Sequence, residues 1–163
     1  MAYGTFVFAI LSLLASSVVA TDYCVYTLYV KTGFLPKAGT DSRISTRFFD
    51  VTGTSSQISN ISEWGGSLMG PNHNYFERNS LDVFTGLGEC LKTSVCGLEI
   101  SSDGSGDHHG WYNDYVEVSV TSSKPGLSCN THRFTVQKWL ATDVYPYQLS
   151  MVIDDCDYSL QHQ

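Results

Sequence analysis

The sequence predicts an all-β fold, an eight-stranded antiparallel β-sandwich of two sheets. Three observations predict it. Short runs of β-branched and aromatic residues alternate apolar with polar positions, as in YTLYV and YVEVSV. Clusters of Gly, Asn, Asp and Ser punctuate those runs. Helical periodicity is scarce along the whole chain. Alternation sends successive side chains to opposite faces, which suits a strand with one face in a core and the other in water. Two such sheets packed face to face form a sandwich.

The elements follow in order. Cys24–Lys31 reads as the first strand, with Tyr26, Leu28 and Val30 on one face, ended by Thr32-Gly33. FLPKAGTD contains Pro36 and Gly39 and reads as a surface loop. Ile44–Asp50 forms the second strand, with Ile44, Thr46 and Phe48 opposed to Ser45 and Arg47, and Gly53 closes its hairpin. A weaker element, Gln57–Ile61, precedes an irregular loop, EWGGSLMGPNHN. Short strands are expected at Tyr75–Arg78 and Leu81–Thr85, with Phe76, Leu81, Val83 and Phe84 in the core and Glu77 and Arg78 as a structural ion pair. Val95–Ile100 and Tyr112–Val120 follow, the latter with Val116, Val118 and Val120 turned inward. KPGLSCN is a turn, and Thr131–Val136 and Tyr147–Ile153 supply the last strands. The chain shows no internal repeat and no linker, so one domain is expected over residues 21–156, with a polar tail at 157–163.

The first twenty residues differ from the rest. They are uncharged and apolar from Phe6 to Val19, with Val18 and Ala20 before a cleavage point at Thr21. This pattern is expected of a signal peptide, residues 1–20, and places the chain in the secretory pathway. No later stretch is long and apolar enough to span a bilayer. The net charge of −7 disfavours nucleic acid and gives no attraction to anionic lipid. A bound dication inverts such a field locally.

Five cysteines, at 24, 90, 96, 129 and 156, are expected to form disulfides in an oxidising compartment. Cys90 and Cys96 close a short polar loop and are paired first. Cys24 and Cys156 lie near the two ends of the domain and are paired next, leaving Cys129. No C-x-x-C motif points to redox catalysis. No G-x-S-x-G elbow is present, and the Asp and His residues of one loop have no nucleophile beside them, so no enzyme is expected.

That loop, SSDGSGDHHG, holds Asp103, Asp107, His108 and His109 among glycines. Asp103-x-Ser105-x-Asp107 echoes the start of a calcium loop. The glycine due next is replaced by His108 and no glutamate follows at the twelfth position, which excludes the helix-flanked version. A zinc site at His108 and His109 lacks a further ligand with familiar spacing, His73 being the one other candidate. Trp64, Leu68 and Met69 share a Gly-rich segment; they either form an apolar tip that enters a membrane interface or cover the open end of the sandwich. Asn60-Ile61-Ser62 is a glycosylation sequon.

Four stretches carry a family resemblance: VKTGFLPKAGTDSRISTRFFDVTG at 30–53, NYFERNSLDVF at 74–84, GLEISSDGSGDHHGWYNDYVEVSV at 97–120, and RFTVQKWLA at 133–141. Together they resemble the PLAT domain, the β-sandwich attached to lipoxygenases and pancreatic-type lipases. WGGSLMGPNHNYFER and SDGSGDHHGWY are similar to the small secreted plant members called PLAT-plant-stress proteins. The resemblance implies a PLAT-type sandwich acting as a non-catalytic module for membrane lipid, sometimes with calcium, in abiotic stress, placed in the apoplast or the endoplasmic reticulum. The alternative is a protein–protein interaction domain without lipid or metal. The resemblance also matches Asp41 to a calcium position of some members. Gly33, Gly39 and Thr40 then offer backbone oxygens, and Asp103 and Asp107 complete the shell. The competing reading is two solvated turns. Trp111 and Trp139 match buried tryptophans of the family.

Overall fold

Eight strands form in the computed structural model, which describes residues 23–122 and 130–159. They are β1 (Tyr23–Thr32), β2 (Ile44–Asp50), β3 (Ser55–Ile58), β4 (Leu81–Glu89), β5 (Val95–Ser102), β6 (Trp111–Thr121), β7 (Asn130–Leu140) and β8 (Ser150–Asp154). A one-turn helix, α1 (Ile61–Gly65), and a 3₁₀ turn (Gly66–Met69) lie between β3 and β4. The expected leader 1–20, Cys129, and the end of the expected tail from residue 160 lie outside the described residues. Among those described, no helix is long and apolar enough to cross a membrane.

The strands make two four-stranded sheets, ordered β4-β1-β6-β7 and β3-β2-β5-β8, and every pairing is antiparallel. This is the two-sheet sandwich that the alternation required. Tyr26, Leu28 and Val30 of β1, Phe84 of β4 and Val116 and Val118 of β6 face Ile44, Phe48, Leu98 and Ile100 of the second sheet, all fully or nearly fully buried. Burying each such side chain contributes about 1.5–3 kcal/mol. Trp111 is completely buried, as expected, with its indole N–H donating to Thr32 Oγ1 at 3.0 Å.

The 70–80 segment departs from the sequence reading. Tyr75–Arg78 forms turns instead of a strand. Phe76 and Asn79 adopt positive φ, 61° and 64°, which a bulky residue such as Phe tolerates only when its surroundings hold it. Here the holding group is Asp82. The LDVF alternation points Asp82 and Phe84 inward, so Leu81 is exposed and Val83 half-buried, contrary to their expected place in the core. The fully buried Asp82 carboxylate accepts the Phe76 amide at 2.8 Å and the Ser80 hydroxyl at 2.8 Å, and pairs with His73 Nε2 at 2.6 Å. Phe76 then stacks on Phe84 and meets Trp111 edge-on, with ring centroids 5.6 and 5.4 Å away.

The expected disulfides are also corrected. Cys24 bonds Cys90 and Cys96 bonds Cys156. Cys90 follows β4 in one sheet and Cys96 lies in β5 of the other, so the short link between them crosses the sandwich and carries the two residues apart. In the sheets, Cys24 sits opposite Gly88 on the neighbouring β4, next to Cys90. Gly97 sits opposite Asp154 on β8, which brings Cys96 alongside Cys156. Each bridge therefore joins neighbouring strands of one sheet. The bridges close chain segments of 66 and 60 residues. By chain entropy each is worth about 4 kcal/mol.

Candidate functional site

Three connections meet at one end of the sandwich: residues 33–43 between β1 and β2, the 70–80 turns, and residues 103–110 between β5 and β6. The first is laced to the other two by backbone bonds. Thr40 N–H donates to Phe76 O at 3.2 Å, Asp41 N–H to His108 O at 3.0 Å, and Tyr112 N–H to Ala38 O at 3.0 Å. Thr40 Oγ1 donates to His108 O at 2.8 Å, and Ser42 Oγ to Ser105 O at 2.7 Å. Gly106 has a positive φ of 85°, and a Cβ there would lie 2.8 Å from Asp41 Cβ, so only glycine lets the two loops approach this closely.

Asp41 is the carboxylate these contacts fix in place. Its Oδ2 accepts the His108 amide at 3.3 Å and meets His108 Nδ1 at 2.9 Å. Among the described residues, two of the three cavities it borders carry further acidic groups. One, of about 450 Å3, is shared with Asn74, Glu77, Arg78 and Lys37. The other is shared with Asp103, Asn60 and Glu63. Asp41 and Asp103 are thus neighbours at the same end. Asp103 is committed to its own turn: Oδ1 accepts Ser105 Oγ at 2.7 Å, Ser105 N–H at 3.0 Å and Arg43 N–H at 3.0 Å. The Ser105 hydroxyl and amide hold its carboxyl below the ordinary carboxylate range.

The other expected ligands are divided between neighbouring places. Asp107 borders another cavity, with Trp139 and Asp143, which shares Lys37, Gly39 and His108 with the Asp41 cavity. The Gly33 carbonyl accepts Asn79 N–H at 2.9 Å. Gly39 and Thr40 line the Asp41 cavity. Asn74 and Glu77, hydrogen-bonded to each other through Nδ2 and Oε1, supply oxygens beside Asp41 that the sequence reading missed. Glu77 had been assigned to Arg78. The turn-dense composition of GPNHNYFERNS was the signal that these residues belong to a loop.

Among the described residues no three His, Cys, Asp or Glu side chains converge as a metal group. The histidines of the zinc reading each meet a different carboxylate: His73 with Asp82, His108 with Asp41, and His109 with Asp143.

Trp64 is not a free tip. Helix α1 and the 3₁₀ turn lie along the side of the sandwich, over edge strand β4. The Trp64 indole N–H donates to Leu87 O at 2.9 Å and the ring packs on Gly86, where a Cβ would come within 2.5 Å of it. It covers an edge strand and satisfies one of its carbonyls. Met69 is half-buried and Leu68 is exposed. Asn60 caps α1 through its side-chain oxygen, bonded by the Ser62 and Glu63 amides.

Residues 11–145 match the family described as Embryo-specific protein 3 (ATS3). The chain is similar to PLAT domain-containing protein 1 of Arabidopsis thaliana, 49% identical over 85% of this chain and 75% of the relative. It is similar to PLAT domain-containing protein 2 of the same plant, 51% identical over 85% and 74%. The fold is similar to part of coral 8R-lipoxygenase, described by calcium activation via a C2-like domain, with a TM-score of 0.58 and 24% identity. That likeness covers 80% of this chain and 16% of the lipoxygenase.

Proposed function

The chain belongs to the PLAT-domain family, and on that premise we propose that it is a non-catalytic binding module whose Asp41 end associates with a lipid surface through calcium. The observation that carries this reading is the set of hard oxygens around one cavity: the Asp41 and Glu77 carboxylates and the Asn74 side-chain carbonyl. Calcium takes six to eight oxygen ligands and accepts such a mixture, with water filling the rest. The donors fit it: Asp41 Oδ1 has no partner among the described residues, while Oδ2 is held by His108. When bound, calcium supplies positive charge at the end of a protein whose net charge is −7, and offers a ligand position to a lipid phosphate.

The calcium activation described for the coral lipoxygenase's C2-like domain is in keeping with this role. Entry into the secretory pathway and a role in plant stress are part of the proposal, carried by the leader-like first twenty residues and by the resemblance to secreted plant members. Sedimentation with anionic vesicles, with and without calcium, tests it. Calcium-dependent co-sedimentation supports the reading, and its absence at millimolar calcium opposes it.

One observation favours a protein-docking role instead. Tyr23, Val25 and Leu87 are exposed together on adjacent strands β1 and β4, with Val25 directly opposite Leu87. Binding to a protein partner without vesicle association would support that role.

A further inference from the structure

The cavity beside Trp139 adjoins the Asp41 cavity, sharing Lys37, Gly39 and His108 with it, but its other lining suits another kind of ligand. It has a volume of about 450 Å3. This lies within the range of about 300–1,000 Å3 usual for small-ligand sites. Pro36 and Lys37 from the 33–43 connection, Asp107 and His109 from the 103–110 connection, and Trp139 and Asp143 from the end of β7 and beyond line it. Trp139 was expected to be buried, but it is only half-buried. Its ring is braced edge-to-face by Tyr112, with centroids 5.5 Å apart, and lies against Gly110, where even a Cβ would stay 3.8 Å away. The indole is thus a fixed aromatic surface bordering the cavity.

The polar groups around it are paired in sign and open to a ligand. His109 Nε2 meets Asp143 Oδ1 at 3.3 Å and links two of the lining segments. The side chains of Lys37 and Asp107 have no hydrogen-bond or ion-pair partner among the described residues. Lys37 is held at the cavity by a positive φ of 64°, a strained backbone that the surrounding loop maintains. The lining carries both donors and acceptors, Lys37 with His108 and His109 beside Asp107 and Asp143, so it is not a strongly charged site of one sign.

From this arrangement we infer that the Trp139 cavity binds a neutral glycan. A sugar ring carries an apolar C–H face and an edge of hydroxyls that both donate and accept. The C–H face matches the electron-rich face of an indole. The hydroxyl edge matches Asp107, Lys37 and the His109–Asp143 pair, two of which lack any other partner. More aromatic surface lies on the bounding loops. Tyr145 and Tyr147 follow Asp143 and Val144 and are 74% and 65% exposed, and Phe34 precedes Pro36 and is 73% exposed. Such rings provide contact area at low entropic cost and extend the surface for a longer chain of sugars. This site does not depend on calcium or lipid.

Saturation-transfer NMR on the secreted chain in EDTA tests it. The probes are tetrasaccharides of β-1,4-linked glucose, xylose, mannose and N-acetylglucosamine, with tetramethylammonium as a cationic control. At least one oligosaccharide should receive saturation. Trp139→Leu should weaken its binding by about tenfold, on the scale of one stacking contact. Asp107→Ala, at an exposed position, should weaken it severalfold with the unfolding midpoint unchanged. No transfer to any sugar, transfer unchanged in both variants, or binding of the cation alone overturns the inference.

Discussion

Asp41 and His108 stand 67 residues apart in sequence and touch twice, backbone amide and ring Nδ1 both meeting the same carboxylate oxygen, Oδ2. The histidine therefore competes with any cation for that oxygen. An exposed pair of this kind is worth about 0.2–1 kcal/mol. Replacing His108 with alanine removes the ring contact and keeps the amide. Calcium affinity, measured by titration calorimetry, should rise by up to about fivefold.

Asp82 holds the 70–80 turns that carry Asn74 and Glu77. It is fully buried, and its oxygens hold the Phe76 amide, the Ser80 hydroxyl and the His73 ring. Asp82→Ala strands the buried amide and releases a strained Phe76. Unfolding in urea should show a loss of about 2–4 kcal/mol. Asp41→Ala, at a half-exposed group, should cost less than about 1 kcal/mol.

Acid sensitivity follows from two carboxylates held below their ordinary range. Burial pushes Asp50 up, but bonds from the Thr52 hydroxyl and from the Thr93, Lys92 and Thr52 amides outweigh it and bring it down. Asp103 is lowered first by the Ser105 hydroxyl and then by the Ser105 amide. A depressed folded-state pKa means the contribution is present above the unfolded value, about 3.9 for Asp, and is lost as pH falls through the folded value. Thermal midpoints should therefore drop steeply below about pH 4. Asp50→Asn should flatten that drop; an unchanged slope would show that these bonds carry no such linkage.

Trp64 closes the side of the sandwich, so its loss should appear in stability. Trp64→Ala should cost about 3–5 kcal/mol if the site stays open, and less if the 3₁₀ turn collapses onto β4. Vesicle binding by the folded fraction should change less than twofold, about 0.4 kcal/mol. A large loss of binding with unchanged stability would return Trp64 to the membrane.

The strands were legible because their patterns are local. ISTRFF alternates cleanly and β2 spans Ile44–Asp50 as read. The valines of YVEVSV are buried together. What failed was decided by distant groups. NYFER looks extended by composition, yet a carboxylate six residues beyond Phe76 turns that segment back on itself. The same misreading hid Asn74 and Glu77 from the site. The disulfides required knowing which sheet each strand joins, and the spacing of Cys90 and Cys96 carries no such information. The meeting of the Asp41 loop with the 103–110 loop was foreseen. The place of Asp107 on a cavity with Trp139 was not.

Calorimetric titration of calcium into the wild-type chain and into Asp41→Ala and Glu77→Gln tests the central claim most directly. The wild-type chain should bind calcium at micromolar to millimolar concentration, with the signal abolished by Asp41→Ala and reduced by about tenfold in Glu77→Gln, as expected for loss of one charged ligand. Absence of heat from the wild-type chain at millimolar calcium, or equal binding by all three, would contradict it.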